Sequence, residues 1–97
     1  MSENRAVPTM HLENERVRVT EWRFAPGAAT GWHRHEFDYV IVPVTAGTLH
    51  LDDGEKVTEA KLVAGVSYFR RAGVEHDVIN AGAGKLAFVE VELKQAG

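Results

Sequence analysis

The stretch GWHRHEFDY, residues 31–39, concentrates side chains suited to chemistry. His33 and His35 stand two apart, and Glu36 and Asp38 follow. Imidazole nitrogens and carboxylate oxygens are ligands for divalent metals. On a β-strand, residues i and i+2 point to one side. Two histidines so spaced can bring their rings onto one ion, with Arg34 facing the opposite way. Two rings on a polar strand would look the same, so a third ligand from elsewhere in the chain has to complete the argument. The chain has no cysteine. Disulfides and thiolate ligands are therefore excluded, and any metal must be held by imidazole or oxygen.

The elements that would position these side chains are short and β-like. In RVRVTEWRF, Val17 and Val19 fall on one face and Arg16, Arg18 and Thr20 on the other; APGAATG then breaks the pattern. YVIVPVT is β-branched and nearly all apolar, which reads as a strand buried on both sides with Pro43 marking a bulge or an edge. GTLHLDDG alternates, with Leu49 and Leu51 inward and Thr48 and His50 outward, and DDG signals a hairpin turn. KVTEAKLVAG, VSYFRRAG and HDVINAGAG are punctuated by glycine, and KLAFVEVELK alternates again through Leu86, Phe88 or Val89, Val91 and Leu93. No stretch sustains a helical period; residues 55–63 could form a helix but are too short to stand alone. About eight short strands with Gly and Pro between them indicate an all-β sandwich or barrel.

Length and charge narrow the function classes. A chain of 97 residues is one domain with one modest core, and pairing with a second copy would help stabilise it. The formal net charge is −3 and no basic block is present, which argues against a nucleic-acid partner. The opening MSENRAVPTM is polar and contains Pro8, unlike a secretory signal. No apolar run reaches the length of a membrane span. The expectation is a cytoplasmic protein with no membrane partner. No glycine-rich phosphate loop and no nucleophile elbow is present, so nucleotide-dependent and serine-hydrolase chemistry are set aside.

Two spaced signatures carry a family resemblance. Gly27 is followed after five residues by His33-Arg34-His35. Further on, Gly65, Gly73, His76 and Asn80 follow a second pattern, in which Arg71 stands where the family has proline. The chain resembles a small single-domain cupin over roughly residues 16–93, and is similar to the small cupins named for β-alanine degradation. The resemblance implies a cupin-type jelly roll over residues 16–97, with residues 1–15 as an N-terminal arm that is mobile or lies across a partner. It implies one divalent transition metal ion held by His33, His35 and His76, and a homodimer.

The family's glutamate ligand has no counterpart here. Its expected positions are Tyr39 and Val40, while the carboxylates fall early, at Glu36 and Asp38. Three readings follow. The site is three-histidine, as in some cupin dioxygenases; or Asp38 is a displaced fourth ligand, if the turn differs in length; or no metal is tightly held and the histidines serve a binding pocket. If strand parity continues from His35, Tyr39 faces in and Asp38 out. Three neutral imidazoles suit Fe, Mn, Ni, Cu or Zn, and three protein ligands leave positions open for chemistry.

Other residues extend the reading. Tyr39 is placed to donate a hydrogen bond near the open positions. Of Arg70 and Arg71, strand alternation turns one toward the cavity, where it would hold a carboxylate; Arg71, at the family's proline position, points to an anionic ligand. Trp22, Phe24, Trp32, Phe69 and Phe88 are core or pocket aromatics. His50 falls outside, His11 in the N-terminal arm, and Asn80 at a strand-to-loop turn. The expected function is a metal-dependent, dioxygenase-like oxidoreductase acting on a small polar, anionic metabolite, with a non-catalytic sensor or carrier as the alternative. No catalytic side chain is assigned.

Overall fold

The computed structural model describes residues 4–94. Nine strands follow one another without a helix among the described residues: β1 (Val7–Glu13), β2 (Val17–Phe24), β3 (His33–Arg34), β4 (Asp38–Pro43), β5 (Gly47–Asp52), β6 (Val57–Leu62), β7 (Tyr68–Arg70), β8 (Glu75–Asn80) and β9 (Leu86–Leu93). They form a five-stranded sheet in the order β1-β2-β9-β4-β7 and a four-stranded sheet in the order β3-β8-β5-β6. All strand pairings are antiparallel. The result is a jelly-roll β-sandwich.

Sequence alternation explains the layers. β2 and β9 pair along their whole length, from Val17 opposite Leu93 to Phe24 opposite Leu86. Phe24, Leu86 and Phe88 turn inward from them, and Leu49, Leu62 and Val78 meet them from the other sheet. Phe24 and Phe88 lie with ring centroids 5.4 Å apart. Burying side chains of this size contributes roughly 1.5–3 kcal/mol each.

The loops are held by specific side chains. Residues 55–63 are not helical: Val57–Leu62 is β6, the partner of β5. Pairing across the DDG turn supplies the backbone partners that a short helix would have had to find alone. Asp53 Oδ1 caps that turn by accepting from the N–H groups of Glu55 and Lys56, both at 2.8 Å. Pro43 ends β4, so its missing N–H interrupts no ladder. Asn80, one of the most buried side chains, donates to the carbonyls of Ala25 at 3.2 Å and Gly84 at 2.9 Å and ties the end of β8 to the end of β2. Within the arm expected over residues 1–15, Val7–Glu13 forms β1, the edge strand paired with β2. Residues 1–3 of that arm and 95–97 of the domain lie outside the described residues.

Candidate metal centre

Strand register brings three histidines together. His33 on β3 sits directly opposite His76 on β8, so both side chains leave the same face. His35 continues the pairing past β3: its N–H donates to Val74 O at 2.8 Å and its carbonyl accepts from Gly73 N–H at 2.8 Å. Gly73 has φ +98°, a conformation glycine adopts without a Cβ penalty, and this lets the chain turn back into β8. His35 therefore keeps the parity of His33, and the two rings meet edge to face at 4.7 Å.

The ligand atoms converge. Nε2 of His35 lies 3.1 Å from Nε2 of His33 and 3.1 Å from Nε2 of His76. Two nitrogens each about 2.1 Å from one ion and 3.1 Å apart subtend roughly a right angle at it, which suits an open metal site. The tautomers agree. His33 Nδ1 contacts Gly31 O at 2.9 Å; the carbonyl only accepts, so Nδ1 carries the proton and Nε2 of the neutral ring presents a lone pair. His35 turns Nδ1 toward the Glu90 carboxylate at 3.4 Å, which favours the same tautomer. Burial, and then the rings of His33 and His76, push His35 down to about 3. Burial, then His33 and the Arg70 charge, push His76 down to about 4. Both rings are therefore neutral near pH 7, as ligands must be. One N–H could satisfy only one of the two contacts at His35 Nε2, whereas a cation among the three nitrogens satisfies all of them. The donor set fits a metal.

A family model described as the Cupin domain matches residues 20–92 of this β-sandwich. The chain is a cupin. It is 62% identical over 89 residues to the beta-alanine degradation protein BauB of Pseudomonas aeruginosa, covering 92% of this cupin and 94% of that protein. The crystal structure of a cupin domain from Bordetella pertussis Tohama I is 53% identical, with a TM-score of 0.93 over 98% of this chain and 99% of that one. A protein with a double-stranded β-helix domain from Klebsiella pneumoniae is 24% identical, with a TM-score of 0.76 over 100% of this chain and 84% of its own, and shares the fold.

The site of this cupin opens into a cavity of about 250 Å³ between the sheets. The three histidines and Val78 form one wall; Thr20, Trp22, Tyr39, Ile41, Phe88 and Glu90 form the other. Tyr39 is buried, lines the cavity and stacks on His35 with centroids 3.9 Å apart and planes 17° apart. Burial raises its hydroxyl pKa, so it stays a neutral phenol. Asp38 goes elsewhere. It is exposed and is not among the cavity-lining residues, because β4 alternates from it to Tyr39, and its Oδ1 accepts from Ala72 N–H at 2.7 Å. Glu36 is also exposed. Arg71 is exposed just past β7 and does not line the cavity; Arg70 does, because Tyr68 and Arg70 share the inner face of β7 while Phe69 faces out. Trp22 and Phe88 line the cavity, Phe24 packs in the core, and Trp32 and Phe69 are exposed.

Two buried carboxylates escaped the sequence reading. Glu90 and Glu92 point inward from β9 in phase with Leu86 and Phe88, while Val89 and Val91 take the other face. Glu90 accepts from Trp22 Nε1–H at 3.1 Å. Burial pushes it up to about 7, against the Trp22 hydrogen bond that lowers it and with the nearby Glu92 charge raising it. Glu92 takes a two-pronged hydrogen bond from Arg18, at 2.6 and 3.0 Å. The signal lay in the parity of VEVEL: continuing inward from Phe88 lands on both glutamates. Valines on the opposite parity concealed it.

Proposed function

We propose that this cupin holds one divalent transition metal ion through His33, His35 and His76 and acts on a small, polar, anionic metabolite, with oxidation by dioxygen as the reaction type. The observation that carries the reading is the convergence of three imidazoles, with His35 Nε2 3.1 Å from Nε2 of both His33 and His76, and no carboxylate joining the cluster among the described residues. A metal of this class (Fe, Mn, Ni, Cu or Zn) held by three protein ligands would supply open positions for substrate and dioxygen.

The chain's own residues prepare the rest. Tyr39 and Glu90 fix the ring of His35 from its face and from its Nδ1 edge. Ile41 and Phe88 from one sheet and Leu49 from the other give the cavity apolar surface, and its size suits a small metabolite, being below the volumes typical of drug-sized ligands. The relationship to BauB, a protein named for β-alanine degradation, supports a setting in the breakdown of small carboxylate-bearing compounds. The same reading carries a homodimer, which light scattering tests. The function is tested by oxygen uptake of metal-loaded protein against a panel of short carboxylates, with His76→Ala as control. Uptake that one compound stimulates in the wild type and not in His76→Ala supports an oxygenase. Ligand binding without turnover across the panel supports the sensor or carrier instead.

A further inference from the structure

The charged groups around the cavity are matched with partners, with one exception. Arg18 is engaged by Glu92 at 2.6 Å. Arg34, which is exposed, lies 3.8 Å from Glu75. Glu90 is engaged by Trp22 and faces His35. Arg70 lines the same cavity, yet no carboxylate among the described residues lies within ion-pair distance of it. Its guanidinium sits over the Tyr68 ring, 5.3 Å from the centroid. A cation–π contact of this kind orients the group without neutralising it. Arg70 also faces Tyr39 directly across the β4–β7 pairing, and Tyr39 stacks on His35. Tyr39 thus stands between the unmatched cation and His35.

We propose that the cavity is a receptor for a short aliphatic carboxylate, whose carboxylate is gripped by Arg70 while its other end faces His33, His35 and His76. A planar guanidinium offers two parallel N–H donors to a carboxylate, the geometry such a ligand needs. Ile41 and Phe88 from one sheet and Leu49 from the other give apolar surface for a carbon chain between the two ends, and the cavity volume of about 250 Å³ suits a small ligand. The proposal shares the cavity of the function proposed above and depends on that reading only for what the histidines do; the carboxylate grip stands on Arg70 alone.

The test uses the full chain in a Trp32→Phe background, which leaves Trp22, a cavity residue, as the sole tryptophan reporter. Propionate is titrated against protein as purified and again after chelation, with propanamide as the neutral isostere. Propionate changes Trp22 emission and propanamide at the same concentrations does not. Arg70→Gln weakens propionate binding about ten- to hundredfold. Arg70→Lys, which keeps the charge and loses the fork, weakens it less, and Arg71→Gln leaves it unchanged. Circular dichroism of Arg70→Lys matching the wild type shows that the loss is not misfolding. Chelation leaves the wild-type affinity within a few-fold. The proposal is overturned by a wild type that ignores propionate, by Arg70→Gln binding it as the wild type does, by propanamide binding equally well, or by binding that disappears on chelation. Arg70-dependent binding in protein that holds no metal would retain this carboxylate site while removing the metal reading.

Discussion

Tyr39 lies flat against His35, with ring centroids 3.9 Å apart and planes 17° apart. One of the two positions where the family pattern expects a glutamate is thus filled here by an aromatic ring that braces a histidine. Tyr39→Phe keeps the stack and should change stability by no more than about 1 kcal/mol. Tyr39→Ala removes a buried ring and leaves a cavity beside His35, and should cost about 3 kcal/mol or more. Urea denaturation of both variants checks this; equal losses would mean that the hydroxyl, not the ring, matters.

Asp38 is turned away from the three histidines and caps a turn. Asp38→Asn should leave metal content unchanged and stability nearly so, because the amide oxygen can still accept from Ala72 N–H. Asp38→Ala loses that acceptor and should cost about 1 kcal/mol. Elemental analysis with circular dichroism decides the first point: metal lost from a folded Asp38→Asn protein would restore a histidine-and-carboxylate site.

Acid stability of the metal-free protein should depend on opposed groups. His35 and His76 are held down at about 3 and about 4 from an ordinary 6.5, so below pH 6.5 the unfolded chain takes up two protons that the native state refuses. Glu90 is pushed up to about 7 from an ordinary 4.5, so through the same window the native state holds one proton that the unfolded chain has lost. Between about pH 4.5 and 6.5, for these three groups, the unfolded state binds one proton more, and stability falls on acidification by about 1.4 kcal/mol per pH unit. Glu90→Gln removes the opposing group and should roughly double that slope, other groups contributing equally to both proteins. Urea denaturation of wild type and variant at about pH 5 and pH 6.5 measures it. An unchanged or shallower slope in Glu90→Gln would contradict the assignment.

The parts of the fold and site that local periodicity governs were legible in the sequence. The two-residue spacing of His33 and His35 set their shared face, whereas His76 joined them only through the cupin resemblance carried by Gly65, Gly73, His76 and Asn80. What periodicity left open depends on partners distant in sequence. VTEAKL is a strand because β5 offers it a ladder, which no local pattern announces. Arg70 rather than Arg71 faces the cavity because β7 ends at Arg70, one residue short of the position the family pattern drew attention to. Glu90 and Glu92 were hidden because β9 carries apolar residues on both parities; only Trp22 and Arg18, on a strand far back in the sequence, make the buried carboxylates tolerable.

The central claim is that three histidines bind one metal ion, and elemental analysis of protein purified without a histidine tag tests it most directly. The wild type should carry close to one equivalent of a transition metal. His33→Ala, His35→Ala and His76→Ala should each lose it, while His50→Ala, on β5 opposite Ile79 and Glu59 and outside the cluster, should keep it. Equal metal content in all four variants, or a wild type that takes up no metal even when it is supplied, would contradict the account.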